Sequence, residues 1–129
     1  MADFLRAGVW LLLGLTWWTG GWAQAPRVNA EIVLQNSLLA GFRHHDGKAV
    51  WDRMATGDVL DLVREPNNPH DGNAVRVEWR GHKLGYVPRR ENQIAKQMDA
   101  GLSLTARITK LEKRRGPWRR IEFDVMVDP

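Results

Sequence analysis

His70 and Asp71 stand side by side within EPNNPHDGNA, residues 65–74, just before the chain resumes as AVRVEW. With His44, from FRHHDG, they are the only residues on which acid–base catalysis could rest, and no companion nucleophile accompanies them. The chain has no cysteine, no glycine-rich phosphate loop, no G-x-S-x-G and no H-E-x-x-H. Enzyme activity is therefore not expected, and no catalytic residue is assigned. A plainer role for the stretch is a turn: Pro66 and Pro69 fix backbone angles, while Asn68, Asp71 and Asn73 can bond the backbone around them. A second cluster is cationic. Lys110, Lys113, Arg114, Arg115, Arg119 and Arg120 gather around RRGPW with Trp118 among them, a composition that suits a phosphate backbone and equally a solvated hairpin tip.

These residues need elements to position them. DVLDLVRE alternates Val59, Asp61 and Val63 against Leu60, Leu62 and Arg64, which predicts a strand with one mixed face. NAVRVEWRG places Val75, Val77 and Trp79 inward and Arg76, Glu78 and Arg80 outward; Arg80-Gly81-His82 then turns the chain into KLGYVP as a hairpin. LSLTARITKLEK and RRIEFDVMVD read as two long alternating strands. PRRENQIAKQMDAGL is the one convincing helix, with Pro88 at its first position, Ile94, Met98 and Leu102 along a buried stripe, and Gly101 just past its end. Upstream, SLLAGFRHH reads as a strand with Leu39, Gly41 and Arg43 on one face, and HDGKAVW as its return through the Asp46-Gly47 turn. Short strands in succession with a late helix predict a mostly β fold, a small antiparallel barrel with one or two helices.

The first 25 residues have a different character. Arg6 precedes the apolar run VWLLLGLTWW, and Ala23-Gln24-Ala25 offers small residues at the positions a signal peptidase needs. This predicts a signal peptide over 1–25, cleaved before Pro26, and an exported protein, periplasmic or secreted, with no stable membrane insertion afterwards. The alternative is an N-terminal membrane anchor, although the run is shorter than the roughly 20 apolar residues of a spanning helix. Residues 26–36 follow as a leader or edge strand. The formal net charge of +4 over 19 basic and 15 acidic residues is a modest pull on polyanions.

LVREPNNPHDGNAVRVEWRGHKLGYVPRRENQIAKQMDAG strongly resembles a HIRAN domain. Glu65, Pro66, Asn68, Pro69, Asp71, Asn73, Ala74, Gly85 and Tyr86 fall on that family's turn-and-hairpin pattern, and AGFRHHDG on its upstream block. The resemblance covers about residues 37–127. It implies an OB-like barrel that binds the 3′ end of single-stranded DNA, as in helicase-like transcription factor and related proteins; bacterial members also stand alone. By the same resemblance Arg43 is the basic residue and Asp71 the acid that hold the terminal nucleotide and its 3′-hydroxyl. His44 and His70 take stacking positions usually filled by tyrosine, and Tyr86 and Arg89 make backbone contacts. The chemistry is coherent: an ionised Asp accepts from a terminal hydroxyl and repels a phosphate, and Arg43 offers a planar fork.

Two histidines where the family has tyrosines raise one further expectation. If His44, His70 and Asp71 flank one pocket, they form a ligand set that zinc accepts, although His44 and His45 cannot both face inward from a regular strand. Base stacking is the simpler role for the histidines, and no cofactor is required. The expected partners are single-stranded DNA or another polyanion, with an envelope protein as the alternative, and the expected state is a monomer.

Overall fold

The computed structural model describes residues 31–115 and 118–128. The expected signal peptide, its cleavage site and residues 26–30 lie outside them. Among the described residues, six strands form one antiparallel sheet: β1 (Ile32–Leu38), β2 (Val59–Glu65), β3 (Ala74–Trp79), β4 (His82–Tyr86), β5 (Leu104–Lys113) and β6 (Arg119–Val127), in the spatial order β1-β6-β5-β2-β3-β4. The described residues also form two short α-helices, α1 (Gly47–Val50) and α2 (Gln93–Asp99). This is the small, mostly antiparallel β-fold that the spacing predicts, OB-like as the resemblance implies.

The sheet does not close through a strand ladder. Its two edges meet instead at a single antiparallel bridge, where Ala40, two residues past β1, exchanges 2.9 Å backbone hydrogen bonds with Tyr86 of β4. A side chain next to that bridge would prevent it, because a Cβ on Gly85 would run into the Ala40 carbonyl oxygen. Glycine at position 85 is thus what lets the edges touch.

The alternations read from the sequence become the core. Val75, Val77 and Trp79 are buried from β3, Leu60 from β2, Leu84 from β4, and Ile108, Ile121, Phe123 and Val125 from the β5–β6 pair. Each such side chain contributes on the order of 1.5–3 kcal/mol through apolar burial, so the core alone can hold a chain without disulfides. Trp79 keeps its one polar atom satisfied, donating from Nε1 to Asp58 Oδ2 at 3.0 Å.

Three expectations are corrected. Residues 41–44 are not a strand: Gly41 adopts φ 76°, and the chain folds into a 3-10 turn over Phe42–His44 that buries Phe42 against Trp51. HDGKAVW does not return as a strand either, since Asp46-Gly47 opens α1 and a second 3-10 turn follows at Trp51–Arg53. Burial of Phe42 and Val50 outweighs the local turn preference of the Asp-Gly pair. Helix α2 starts at Gln93 rather than at Pro88, because Pro88–Glu91 forms its own turn, closed by Glu91 N–H to the Pro88 carbonyl. Its stripe holds where expected, with Ile94 buried, Met98 packed on the core and Gly101 at φ 97° after the last turn, but Leu102 is exposed.

Candidate nucleic-acid interface

The turn from Glu65 to Ala74 is held by side chains rather than by a strand ladder. Asn68 Oδ1 accepts from the backbone N–H groups of His70 (2.9 Å) and Asp71 (3.2 Å), and Asp71 Oδ1 accepts from Asn73 N–H at 3.0 Å. Arg64 closes the far side. It donates to the carbonyls of Ala74 (2.7 Å) and Gly72 (2.9 Å) and forks onto both oxygens of Asp99 at the end of α2. That pairing raises the Arg64 pKa and lowers that of Asp99, in each case first through the hydrogen bonds between them. The turn formers are therefore structural, and what they do is fix where His70 and Asp71 stand.

Glu65 sits behind the turn. Its Oε1 accepts from Asn68 Nδ2 (3.0 Å) and from the Tyr86 hydroxyl (2.9 Å), and its Oε2 from Arg76 at 2.7 Å. Burial disfavours its charge, but the donors from Asn68, Tyr86 and Arg76 outweigh that and hold the carboxyl below its ordinary range. The ring of Tyr86 is flanked by the edge of His45 (5.7 Å) and by the Lys83 ammonium (4.7 Å).

Together these elements enclose a groove of about 610 Å³ lined by His44, His45, His70, Asp71, Lys83, Tyr86 and Arg89, with Asn68 among its walls. Arg89 pairs with Asp71 (Nε to Oδ2, 3.8 Å) and donates to the His70 carbonyl. Burial lowers the His45 pKa, Lys83 and His44 lower it further, and Asp46 and Glu65 oppose them. The groove thus combines flat rings, cations and one carboxylate, the mixture a nucleotide with bases, phosphates and hydroxyls could use.

Five of the six residues singled out in the sequence line this groove: His44, His70, Asp71, Tyr86 and Arg89. Arg43 does not. It lines an adjoining recess of about 290 Å³ with Leu39, Phe42, His44, Trp118 and Arg119, its guanidinium 5.0 Å from the Trp118 ring centre. His44 belongs to both spaces. His45 and Lys83 are lining residues that the sequence reading passed over. The strand assignment hid His45: in a 3-10 turn the alternation is lost, and His44 and His45 line the same groove. Lys83 was hidden by a bulge, since Gly85 pairs with Val77 and Lys83 with Glu78, which breaks the two-residue period along β4. Among the described residues no group of three His, Asp or Glu side chains is placed to hold a metal ion. Asp71 accepts from Asn73 N–H through Oδ1 and pairs with Arg89 through Oδ2.

The comparisons agree with this architecture. The HIRAN domain family matches residues 32–129. A crystal structure of a protein from Lactobacillus plantarum superposes with a TM-score of 0.67 at 31% identity, covering 76% of this chain and 95% of that one. The HIRAN domain of human HLTF superposes with a TM-score of 0.58 at 19% identity, covering 72% and 73%, a likeness of fold. No curated protein matches the chain. Family membership supports a nucleic-acid-binding module. With the family matched across the whole sheet and its hallmark turn built as the wall of a groove, the chain belongs to the HIRAN domain family.

Proposed function

We propose that this protein is a single-strand DNA-binding module that recognises a free 3′ end. The observation that carries the reading is the groove, where one carboxylate, Asp71, stands among aromatic rings and the cations Lys83 and Arg89. Rings of His44 and His70 offer stacking faces to terminal bases, and Arg89 and Lys83 meet the last phosphates. Asp71, as an ionised carboxylate, accepts a hydrogen bond from a terminal hydroxyl and repels a phosphate in the same place. The recess of Arg43 and Trp118 adjoins the groove through His44, so a strand leaving the groove there meets a guanidinium and an indole. Export through residues 1–25 would bring such a module to DNA outside the cytoplasm. An exported chain whose first residue is Pro26 supports that part of the reading, and an intact Met1 in the membrane fraction contradicts it.

A competition experiment tests the binding itself. A labelled linear single strand is displaced either by the same linear strand or by its circular form, which has no ends. The linear competitor should win by at least about tenfold if one charge-assisted hydrogen bond is reserved for the terminus. Equal competition would leave a binder of polyanions without end recognition, and no binding at all would favour a protein partner.

A further inference from the structure

The guanidinium of Arg64 is held along two edges, and the two edges face different parts of the fold. One faces the turn: Nη1 donates to the Ala74 carbonyl at 2.7 Å and Nη2 to the Gly72 carbonyl at 2.9 Å. The other faces α2, whose last residue, Asp99, accepts from Nε on Oδ1 at 2.9 Å and from Nη2 on Oδ2 at 3.0 Å. A planar guanidinium with a carboxylate forked on one edge cannot turn without breaking that fork. Asp99 therefore fixes the direction in which Arg64 presents its donors to the turn.

That direction bears on Asp71, which stands between the two supports of the turn. On one side Asn68 Oδ1 accepts from the backbone N–H groups of His70 and Asp71. On the other, Arg64 holds the carbonyls of Gly72 and Ala74, and Ala74 N–H returns to the Asp71 carbonyl at 3.1 Å. Asp99 is not among the residues that line the groove, and its side chain is 55% exposed. An ion pair that open to water contributes modestly to stability. What it supplies is direction.

We propose that Asp99 is a positioning residue for end selection, holding Arg64 so that the turn keeps Asp71 where the 3′-hydroxyl arrives. This rests on the end-binding reading above and deepens it. Asp71 alone takes the hydroxyl; Asp99 acts on it from α2, through Arg64 and the turn, and touches no nucleotide. A group that reads a ligand works only if its supports hold it to within about 0.5 Å. Selectivity should therefore be lost before the fold is.

Linear single strands ending in 3′-hydroxyl or 3′-phosphate, and a circular strand, are titrated into the full chain and its variants, with a thermal melt on every sample. Asp99→Ala should lower the preference for the hydroxyl end by about three- to tenfold, the worth of one hydrogen bond. Its affinity for the circular strand should stay within about twofold of the wild type, since exposed charges far from the phosphates contribute little. Arg64→Lys keeps the charge, but an ammonium with three donors cannot reproduce the four bonds of the fork, so it should lose the same preference. Asp99→Glu, which keeps a carboxylate on α2, should restore most of it. Should Arg64→Lys fold poorly, Asp99→Ala removes only an exposed carboxylate and decides the matter alone. An unchanged preference in folded Asp99→Ala overturns the inference and leaves end binding standing. Equal weakening of all three strands also overturns it, because a merely structural role would act in that way. A wild type that treats linear and circular strands alike overturns the end-binding reading and this inference with it.

Discussion

The β2–β3 turn and the β5–β6 hairpin end both carry charge, and they are organised in opposite ways. In the turn, Arg64, Glu65, Asn68, Asp71 and Tyr86 are tied to one another or to backbone, with Glu65 taking three donors and Arg64 reaching four acceptor atoms. At the hairpin end, Lys110 and Arg114 share Glu112 at 3.8 and 3.4 Å, and Lys113, Arg115 and Trp118 are exposed. Exposed ion pairs of this kind contribute little to stability and are screened by salt. Such a difference suits a division of labour. A preorganised turn can discriminate between ligand groups, because its polar atoms cannot reorient to suit a wrong one. An open cationic surface attracts any phosphate backbone equally.

The largest effect on that contrast should come from Asp71→Ala. Loss of a hydrogen bond to a charged acceptor costs about 1.5–3 kcal/mol, so the preference for a hydroxyl over a phosphate end should fall roughly ten- to a hundredfold. Binding to strand interiors should hardly change. A competition assay with both ends measures this, and an unchanged preference would assign the selection elsewhere. Next in size is Gly85→Ala. Its methyl group would collide with the Ala40 carbonyl and separate the two sheet edges. Overpacking of this kind costs about 1–3 kcal/mol, which a denaturant titration reads directly. The turn that carries His44 and His45 follows Ala40, so end preference should drop while salt-sensitive binding persists.

The hairpin gives the complementary test. Replacing Arg114 and Arg115 with Gln should weaken hydroxyl and phosphate ends by the same factor. The slope of log affinity against log salt should become shallower by about 0.7 for each phosphate of the single strand that the variant no longer neutralises. A changed end preference would mean that the hairpin also reads the terminus. The smallest effect concerns pH. Folding lowers the pKa of His45, chiefly through burial and then through Lys83, so between the folded and unfolded values the unfolded chain binds more protons. Stability should therefore be full above the ordinary histidine range and fall as pH drops through it towards the folded value. The melting temperature followed from pH 8 to pH 5 should show this decline, and His45→Gln should reduce it.

Much of the sheet was legible because its signal is local. Strands β2, β3, β5 and β6 announce themselves by alternation, and the buried side chains of β3 are the ones alternation selects. Residues 41–53 were not legible, because their structure is set by Phe42 and Val50 reaching a distant core, which overrides the strand-like reading of AGFRHH and the turn signal of Asp46-Gly47. The same override decided the site. His44, His70, Asp71, Tyr86 and Arg89 could be placed from the family pattern, whereas His45 needed the 3-10 turn and Lys83 the bulge between β3 and β4. Glu65 was visible as a pattern position, but its role as the acceptor of three donors depends on Arg76 and Tyr86 arriving from neighbouring strands. Arg43 fell away from the groove for a comparable reason: beside it, Trp118 offers its guanidinium a ring 5.0 Å away.

One measurement bears most directly on the division between a selecting groove and an attracting hairpin. The affinities of the protein for a 3′-hydroxyl strand and for the same strand with a 3′-phosphate are determined at low and at high salt. Both affinities should fall steeply with salt, while the preference for the hydroxyl end, about tenfold or more, should remain at both concentrations. A ratio near one throughout would contradict end selection by the groove.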